Sequence, residues 1–439
     1  MGASKHAVAM ICDFFFPSIG GVENHVHQLS QCLLHSHKVI VITHRHGSRV
    51  GVRWLASGLK VYCVPFASVY DRCLLPMGFL FLPLLRNILV REHIDVVHTH
   101  AVCSMAFESV ILAALLCYRL VHTEHSTFCF SGLTDLCLNW LEELVLAHAD
   151  FAISVSHLSK ENLILRCKID PSRAYVIPNA VDASLFRPER SKLDRVETLN
   201  IVVLTRLVWR KGVHLLVQLV PEVCERFPFV HFIIGGDGPN RHALEEMRER
   251  RHLQSRVELL GTVQHCDVPT VLTRGNLFLS TSLTEAFCIA VLEAVSCGLI
   301  VVSTRVGGVP EILPQCMLLI TEPKPRALLT MISNVIPSLR TAAVVTRKQQ
   351  WSHQRITACH HEVARMYGWQ KVAMRTVCVY DGIAMRPMPT LPDRLRKLAG
   401  IGPWAASIAI CIVALQHLLL SLLRLCRPAE KSFTLAMRS

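Results

Sequence analysis

The chain has 439 residues, of which 51% are hydrophobic, and it carries a formal net charge of +13 at pH 7. This length exceeds one ordinary core and indicates two or three domains, and the composition excludes a disordered protein. The charge favours an anionic partner such as nucleic acid, phospholipid or nucleotide phosphate, and the mean hydropathy of +0.38 favours a membrane segment or a lipid-facing surface.

Short apolar runs alternate with amphipathic stretches along most of the chain, which is typical of parallel sheets covered by helices. The first half contains predicted buried strands within residues 6–17 and at 38–43, 94–100 and 151–156. A polar, charged stretch at 187–200 is interpreted as a linker, and further strands are predicted at 201–206, 230–236, 277–282 and 298–305. We therefore predict an α/β protein with two doubly wound domains, each binding ligands at the carboxyl edge of its sheet.

The domain boundaries follow from the linker and from the composition of the last hundred residues. We place the first Rossmann-like domain at 1–192 and the second at 193–365. A helix at 366–385 is predicted to pack back on the first domain, and the stretch 386–403, rich in proline and basic residues, is predicted to be a tether.

Two uncharged segments suggest contact with lipid. Residues 404–423 are long enough for a transmembrane helix, with a buried core helix or an interfacial helix as alternatives. Four basic residues on each side leave the orientation of this segment undetermined. Residues 73–85 are too short to span, and we favour a core loop over a surface that dips into lipid.

The 18 cysteines include no C-x-x-C pair, so neither a zinc knuckle nor a redox dithiol is expected, and we predict mostly reduced, cytosolic thiols. No secretory signal is predicted at the amino terminus. The 23 histidines include the close pairs His98/His100 and His122/His125. Because a metal site needs further ligands that the sequence does not identify, no metal site is predicted.

A glycine pair follows the first predicted strand. Gly20 and Gly21 precede a run whose apolar residues Val26, Leu29 and Leu33 recur at helical spacing. Glycines at this turn would let an anionic group approach the backbone and the amino terminus of the helix. A simple tight turn explains the pair equally well.

Two cations follow the first strand of the second half. In "TRLVWRKG", Arg206 and Lys211 can both reach the space above the sheet edge, where they would neutralise a departing diphosphate. The alternative is a solvated basic loop. The nearby "FIIGGDGP" does not complete a dinucleotide fingerprint, because Arg241 stands where the third glycine belongs, and this disfavours a dehydrogenase.

Two glutamates stand eight residues apart in "EAFCIAVLE". We predict a helix over 286–297, with Glu285 at its entrance and Glu293 roughly 10 Å further along its axis. One carboxylate could accept hydrogen bonds from a ribose and the other from a transferred sugar, with the N–H groups around Cys288 and Ile289 on a phosphate. The alternative is a pair of structural ion pairs.

Together these motifs resemble the retaining glycosyltransferases of family 4, which have the GT-B fold of two facing Rossmann-like domains. The resemblance implies that donor and acceptor meet between an amino-terminal acceptor domain and a carboxyl-terminal donor domain, without a metal or other cofactor. Its implied residue roles are the following: Gly20 and Gly21 lie beside the donor diphosphate, Arg206 and Lys211 bind it, Cys288 and Ile289 offer N–H groups to it, Glu293 holds the ribose, Glu285 contacts the donor sugar as a catalytic residue, and His125 lies near the acceptor.

Longer stretches such as "ASGLKVY", "VIPNAVD" and "GLIVVSTRVGGVPEILP" are similar to the catalytic subunits of the phosphatidylinositol N-acetylglucosaminyltransferase family. That similarity implies UDP-N-acetylglucosamine as donor, phosphatidylinositol as acceptor, the first step of GPI-anchor assembly, a multisubunit complex, and the endoplasmic reticulum membrane with the catalytic domains on its cytoplasmic face. The alternatives are a family-4 transferase with another nucleotide sugar or lipid acceptor, and a non-catalytic scaffold of the same fold. No motif supports binding of nucleic acid.

Overall fold

The chain forms two units in the computed structural model. One unit comprises Met1–Ile177 together with Gln370–Ser439, and the other comprises Pro178–Trp369. The structure describes residues 5–18, 20–65, 81–101, 103–127, 133–189, 198–342, 353–387 and 403–426, and the single residues 390, 392, 393 and 396. Unit 2 begins before the predicted linker, of which residues 190–197 lie outside the described residues.

Unit 1 is built on a sheet of eight strands among its described residues, in the order β3-β4-β2-β1-β5-β6-β7-β8. All neighbours are parallel except β3, which is antiparallel to β4 at the edge. The strands are β1 (Ala7–Ile11), β2 (Lys38–His44), β3 (Gly51–Trp54), β4 (Lys60–Val64), β5 (Val96–His100), β6 (Arg119–Glu124), β7 (Phe151–Ser154) and β8 (Ala174–Val176). The buried strands predicted in this half are confirmed.

Helices cover this sheet and bury its apolar side chains. They are α1 (Gly21–Leu33), α2 (Phe81–Arg91), α3 (Ser104–Leu115), α4 (Leu133–His148) and α5 (His157–Cys167). The largest core cluster packs α2 and α3 on one face of β1, β2, β4 and β5. Residues 73–80 lie outside the described residues. Phe81, Leu82 and Leu85 are buried in this cluster, as predicted for a core segment, but residues 81–85 form the start of α2, so the predicted loop is wrong there. Pro83 is compatible with this helix because it lies in the first turn.

Unit 2 is built on a parallel sheet of six strands among its described residues, in the order β11-β10-β9-β12-β13-β14. The chain moves outward from β9 in both directions, so β9 and β12 flank a topological switch point, where ligands bind beyond the carboxyl ends of the strands. The strands are β9 (Leu199–Leu204), β10 (Val230–Gly235), β11 (Val257–Gly261), β12 (Leu277–Ser280), β13 (Ile300–Thr304) and β14 (Leu318–Thr321).

The helices of unit 2 enclose a second core around this sheet. They are α6 (Val213–Arg226), α7 (Arg241–Arg250), α8 (Val268–Thr273), α9 (Ile289–Ser296), α10 (Val309–Ile312), α11 (Pro325–Ala342) and α12 (His353–Met366). The strands predicted in this half are confirmed. The helix predicted over 286–297 is wrong in its start, because Cys288 has an extended backbone and the first helical residue is Ile289.

The next helix, α13 (Trp369–Ala384), packs in unit 1 although it follows unit 2 in the chain. Tyr380 is fully buried, and its hydroxyl lies 2.7 Å from Nδ1 of His98 on β5. Asp381 pairs with His6 at 2.7 Å, and Arg119 donates a hydrogen bond to the carbonyl of Ala384. Unit 1 is therefore completed by the carboxyl-terminal part of the chain.

The last helix, α14 (Pro403–Cys426), forms where the apolar segment was predicted. It packs on α2 and α3, with Val413 and Leu420 buried in their core cluster. Among the described residues, no helix meets the length and hydropathy needed to cross a membrane, so the prediction of a transmembrane helix at 404–423 is unsupported. An apolar stretch of this length can equally form a helix that rests on a protein core.

A buried carboxylate ties α2 to the sheet at the edge of unit 1. Glu92 directly follows α2 and accepts hydrogen bonds from Lys60 and from the hydroxyl of Tyr62, both on β4, and it pairs with Lys38 on β2 at 2.9 Å. Burial alone would raise the pKa of Glu92, but these donors prevail and lower it to about 2.

Glu92→Gln is expected to destabilise unit 1 near pH 7 by about 2 kcal/mol, since it removes charge-assisted hydrogen bonds from a buried site. The carboxylate contribution is complete above its ordinary pKa of 4.5 and is lost as the pH falls toward 2. The variant should therefore lose less stability than the wild type between pH 5 and pH 3. Urea unfolding followed by pulse proteolysis measures both effects, with the exposed Glu161→Gln as control. Equal acid sensitivity of the two proteins would contradict the assignment.

Candidate functional site

Arg206 and Lys211 lie in the loop that follows β9 of unit 2. Arg206 is exposed two residues beyond the strand, and Lys211 ends a short 3-10 turn, Trp209–Lys211. The next residue, Gly212, has φ = 71°, and a Cβ atom there would lie 1.9 Å from the carbonyl oxygen of Thr281. Thr281 in turn donates a hydrogen bond to the carbonyl of Lys211 at 3.0 Å. The loop is thus fixed against the carboxyl end of β12, and only glycine fits at the contact.

Lys211 and Glu285 form an ion pair at this edge. Their side chains are 19% and 10% exposed, and Ser282 donates a further hydrogen bond of 2.8 Å to the same carboxylate oxygen. The backbone of Glu285 is also held, because its carbonyl accepts from Gly308 at 3.0 Å and lies 1.8 Å from where a Cβ atom of Gly307 would be. The structure therefore pairs Lys211, which the resemblance assigns to the donor diphosphate, with Glu285, which it assigns to the donor sugar.

The "GGDGP" turn supports the segment that carries Arg206. Gly236 and Gly238 have φ = 133° and 153°, and Cβ atoms there would lie 1.8 Å and 2.6 Å from the carbonyl oxygens of Thr205 and Leu207. The amide of Leu207 also donates to the carbonyl of Asp237 at 2.9 Å. Because they lack a Cβ atom, these glycines let the turn contact the backbone of residues 205–207. This packing explains the glycines of the motif without dinucleotide binding.

Glu293 lies on α9, only 9% exposed, and its partner was not predicted. Oε1 of Glu293 is 3.5 Å from Nε2 of His265, whose pKa is raised by this carboxylate. Cys288 caps α9, and burial followed by the charge of Glu285 raises the pKa of its thiol to about 12, so the thiol is neutral. The backbone of Cys288 and Ile289 forms the entrance of α9, whereas Glu285, predicted to stand at that entrance, lies four residues before the first helical residue.

The glycine pair in unit 1 has the predicted local structure. Gly20 is the extended residue before α1, its carbonyl accepts the first bond of that helix from Asn24 at 3.1 Å, and Gly21 is the first helical residue. A Cβ atom on Gly20 would lie 2.2 Å from the Glu23 carboxylate, at the end of a flexible side chain. The predicted contact of this turn with a donor diphosphate stays a prediction.

His125, at the end of β6, belongs to a cluster of three imidazoles in unit 1. One nitrogen each of His25, His100 and His125 lies within 4.8 Å of the others, and Nδ1 of His100 is 3.3 Å from Nε2 of His125. Burial, followed by neighbouring histidines, lowers the pKa of His100 and His125 well below the ordinary value, so both rings are neutral near pH 7.

Three imidazoles could ligate a divalent metal such as zinc, but a single hydrogen bond between His100 and His125 accounts for their short separation as well. The sequence analysis named the pairs on β5 and β6 and missed His25. That residue comes from α1, and only the fold brings it to the carboxyl edge of the sheet.

A buried network lies next to His125. Glu124 accepts a 2.7 Å hydrogen bond from the amide of Ser126, which fixes the turn that carries His125. Arg166 on α5 pairs with Glu142 on α4. Burial raises the pKa of both glutamates, and for Glu142 the charge of Glu124 raises it further, so protons are retained in this network near neutral pH. No motif in the sequence indicated this network.

The predicted site residues are divided between the two units. The residues in unit 1 are Gly20, Gly21 and His125, and those in unit 2 are Arg206, Lys211, Glu285, Cys288, Ile289 and Glu293. In unit 2, the loops after β9 and β12 hold Arg206, Lys211 and Glu285 at the carboxyl edge of one sheet, where negatively charged ligands can be bound.

Two family models match separate parts of the chain. The model described as PIGA, for GPI anchor biosynthesis, matches residues 44–132, and the model for glycosyl transferases group 1 matches residues 187–337. Two relatives carry the name of the same subunit of phosphatidylinositol N-acetylglucosaminyltransferase. The Arabidopsis thaliana protein is 45% identical, with 97% of this chain and 93% of its own length covered, and the Homo sapiens protein is 42% identical, with 96% and 86% covered.

Solved structures share the fold at low sequence identity. Sucrose-phosphate synthase from Thermosynechococcus elongatus superimposes with a TM-score of 0.70 at 20% identity, covering 87% of this chain and 99% of that one. Anabaena HepE, solved in complex with UDP, superimposes with a TM-score of 0.65 at 17% identity, covering 86% and 100%. The GT-B glycosyltransferase fold is thereby established. With relatives of such identity along nearly its whole length, the chain belongs to the PIGA family of phosphatidylinositol N-acetylglucosaminyltransferase subunits.

Proposed function

We propose that the chain transfers N-acetylglucosamine from UDP-N-acetylglucosamine to phosphatidylinositol, with retention of configuration, in the first step of GPI-anchor biosynthesis. The names of its relatives supply the sugar and the lipid, and the matched PIGA model supplies the pathway. The observation that carries the proposal is the Lys211–Glu285 pair at the carboxyl edge of unit 2, in which Lys211 comes from the same loop as Arg206. A chain that only bound lipid or partners would have no need of this arrangement.

The donor diphosphate gains negative charge as it departs, and Arg206 and Lys211 are the cations that would neutralise it. Glu285 holds the Lys211 ammonium in place before the donor binds, so little rearrangement is needed when the diphosphate arrives. Its carboxylate then accepts hydrogen bonds from hydroxyls of the donor sugar, while Glu293, oriented by His265, accepts from the ribose.

Among the residues that the structure describes we assign no nucleophile, so we propose that the acceptor hydroxyl attacks on the face from which the diphosphate leaves. The bond between the anomeric carbon and the diphosphate oxygen breaks as the bond to the inositol oxygen forms. The proton of the inositol hydroxyl passes to the departing diphosphate oxygen. His125 would orient the inositol, and Gly20 and Gly21 would lie beside the diphosphate.

The lipid acceptor requires the enzyme to work at a membrane, which we propose to be the cytoplasmic face of the endoplasmic reticulum. The helix α14 rests on unit 1 by one face and leaves Leu415, Leu418 and Leu422 about half exposed on the other, which suits contact with lipid. Because its relatives are named as subunits, we further propose that the chain works within a multisubunit transferase.

A second candidate is a transferase of the same fold that uses another nucleotide sugar or lipid. A screen of radiolabelled nucleotide sugars on membranes separates the two, because only incorporation of N-acetylglucosamine into phosphatidylinositol agrees with the proposal. Transfer to a different lipid would identify the second candidate, and the absence of any transfer by the assembled complex would favour a scaffold.

Lys211→Ala should lower kcat for transfer about 100-fold, because a preorganised cation that stabilises the departing diphosphate is lost. Arg210→Ala is the matched control, since Arg210 lies in the same 3-10 turn and is exposed. The assay uses microsomes with UDP-N-acetylglucosamine and phosphatidylinositol. An equal loss of kcat in both variants would show that Lys211 contributes only positive charge to the loop and has no specific role at the diphosphate.

Arg206→Ala, measured in the same assay, should also lower kcat by one to two orders of magnitude, since a second cation at the diphosphate is removed. The doubly substituted protein should lose less than the product of the two single effects, because both cations act on one leaving group. Full activity of Arg206→Ala would show that Arg206 does not contribute to binding or stabilising the diphosphate.

Glu285→Gln retains an oxygen for the hydrogen bond from Ser282 but removes the charge that pairs with Lys211. We expect kcat to fall about 100-fold with a smaller change in KM for the donor, since the carboxylate acts where charge develops. The measurement is steady-state transfer to detergent-solubilised phosphatidylinositol. Unchanged turnover would show that Glu285 has no role in catalysis.

Incubation with a chelator is expected to leave transfer unchanged, because Arg206 and Lys211 take the part that a metal ion would play at the diphosphate. The result is not certain in advance, because the histidine cluster of unit 1 has three side chains close enough together to bind a metal ion. Loss of activity with EDTA and recovery with zinc, absent in His100→Ala, would assign a metal to His25, His100 and His125 and would overturn the metal-free mechanism.

A further inference from the structure

Three histidines of unit 1 converge at the carboxyl edge of its sheet. His100 ends β5, His125 directly follows β6, and His25 lies on α1, the helix that follows β1. Strands β1, β5 and β6 are neighbours, and the chain moves outward from β1 in one direction and from β5 in the other. The histidine cluster formed by these three side chains therefore lies at the topological switch point of unit 1, where α/β sheets bind ligands.

The spacing of the three rings agrees with that of ligands around one tetrahedral ion. Their ring centroids are 4.6, 5.6 and 5.6 Å apart, and Nδ1 of His100 lies 3.3 Å from Nε2 of His125. With zinc–nitrogen distances of about 2.0–2.1 Å, tetrahedral geometry separates the bound nitrogens by about 3.4 Å and the ring centroids by about 5.2 Å. One nitrogen of each ring already lies within 4.8 Å of the others, so small side-chain rotations complete the ligand set.

The surroundings of His100 leave one of its nitrogens ready to bind a cation. Its Nε2 atom lies 3.4 Å from the sulfur atom of Met10 on β1. A thioether has no proton to donate, so Nε2 carries the ring proton and donates it at this contact. In a neutral imidazole the lone pair is then on Nδ1, which is the atom that faces His125. His100 is therefore in the tautomer that a metal ion bound at Nδ1 requires.

The hydrogen bond between His100 and His125 is the arrangement of the same cluster without an ion. In that state Nε2 of His125 donates to Nδ1 of His100. A divalent ion takes the lone pair of His100 and requires His125 to carry its proton on Nδ1 instead of Nε2. Neither ring changes its charge in this exchange, so the cluster can hold either the hydrogen bond or the ion.

The backbone holds two of the ligands in place before an ion binds. Ala101, directly after His100, has φ = 59°, a left-handed conformation that is uncommon for residues other than glycine. Its amide donates to the carbonyl of Thr123 at 2.8 Å, which joins the end of β5 to β6. Such conformations are concentrated at functional sites, because the surrounding structure has to maintain them. This turn fixes His100 beside the strand that leads to His125.

We propose that His25, His100 and His125 form a reversible binding site for a divalent cation of the zinc class, and that the bound ion blocks the acceptor side of unit 1. Imidazole nitrogens suit such ions, whereas magnesium and calcium favour oxygen ligands. The blocking rests on the proposed function, because the ion occupies the ring of His125 that would otherwise orient the inositol. Since this ion inhibits and does not assist the reaction, the expected insensitivity of transfer to a chelator is unchanged.

The ligand set indicates an exchangeable ion and not a permanent structural one. A histidine that binds a metal usually donates its second N–H to a carboxylate or a carbonyl, but the second N–H of His100 faces the thioether of Met10, a weak acceptor. Among the residues that the structure describes, the group contains three ligands, which leaves a fourth position for water. We therefore expect an affinity in the micromolar range, so that a chelator removes the ion.

The first test is cobalt binding by the purified full chain, without donor or acceptor. Cobalt(II) takes the same ligands as zinc, and its visible absorption distinguishes tetrahedral nitrogen sites from cysteine sites, which add a thiolate charge-transfer band. This distinction is needed because the chain has 18 cysteines. Wild-type protein should show the bands of a tetrahedral nitrogen site, and a spectrum made up only of thiolate bands would overturn the proposal.

His25→Gln and His100→Gln should each lower the affinity for cobalt at least about tenfold, since each removes one of three ligands. His37→Gln is the matched control, because it removes a buried imidazole directly before β2, at the amino edge of the same sheet. Circular dichroism verifies that the variants are folded. If His100→Gln does not fold, His25→Gln decides the test, because it changes a helix and not a strand. Wild-type affinity in the folded cluster variants would overturn the site.

The second test measures transfer by the assembled complex, with the free zinc concentration fixed by a metal buffer. Zinc should raise the apparent KM for phosphatidylinositol at least about fivefold and leave the KM for the donor unchanged, and EDTA should restore the rate. His25→Gln should need at least about tenfold more zinc for the same inhibition. Each protein is compared with and without zinc, so a lower basal rate does not affect the comparison. Equal inhibition of His25→Gln, or a rate that requires zinc, would overturn the inhibitory role.

The two tests separate this proposal from the proposed function. A chain that binds cobalt through the histidine cluster but transfers no sugar to phosphatidylinositol contradicts the transferase assignment and leaves the metal site intact. A chain that transfers the sugar but shows no cobalt bands that depend on His25 and His100 contradicts the metal site alone.

Discussion

The candidate site of unit 2 depends on backbones that touch at the carboxyl edge of its sheet. The loop after β9 rests on the end of β12 at Gly212, and the turn at Gly307 rests on the carbonyl of Glu285. A side chain at either glycine would force the two segments apart. The ion pair between Lys211 and Glu285 is a result of this contact, since each partner is carried by one of the two loops. The positions of the charged side chains therefore depend on the close contacts between main chains at Gly212 and Gly307.

Much of the fold was predictable because buried parallel strands are short, uninterrupted apolar runs, as in β2, β9 and β13. Features that depend on partners distant in sequence were not. No sequence pattern joins His265 to Glu293 or His25 to His125, because those contacts exist only once separate strands and helices are assembled. The start of α9 was also missed, since the three residues before it are as apolar as the helix itself.

The carboxyl-terminal segment illustrates a different limit. Hydropathy measures how strongly a helix avoids water, but a protein core and a bilayer satisfy that tendency alike. In α14 one face is taken by the core of unit 1 and the other is left exposed. The edge strand β3 was missed for the opposite reason. Its glycine and its arginine, at positions 51 and 53, conceal the alternation of apolar residues that would indicate a strand.

The two matched family models divide along the two units. The general glycosyltransferase model matches within unit 2, whose sheet edge carries Arg206, Lys211 and Glu285, the residues that we propose to bind the donor. The PIGA model matches within unit 1 and includes β3, β4 and the turn of His125. The family-specific model therefore matches the unit that we propose to receive the lipid acceptor, and the general model matches the unit that we propose to bind the donor.

The placement of α13 in unit 1 has a consequence for biogenesis. Unit 2 is encoded by one continuous stretch, so the ribosome finishes all its strands while unit 1 still lacks the helix that covers His98 and His6. The usual order, in which the amino-terminal domain matures first, is therefore reversed. A nascent chain halted before Trp369 would contain every strand of the unit 1 sheet but not α13, and a premature stop codon there would leave unit 1 without the helix that contacts His98 and His6.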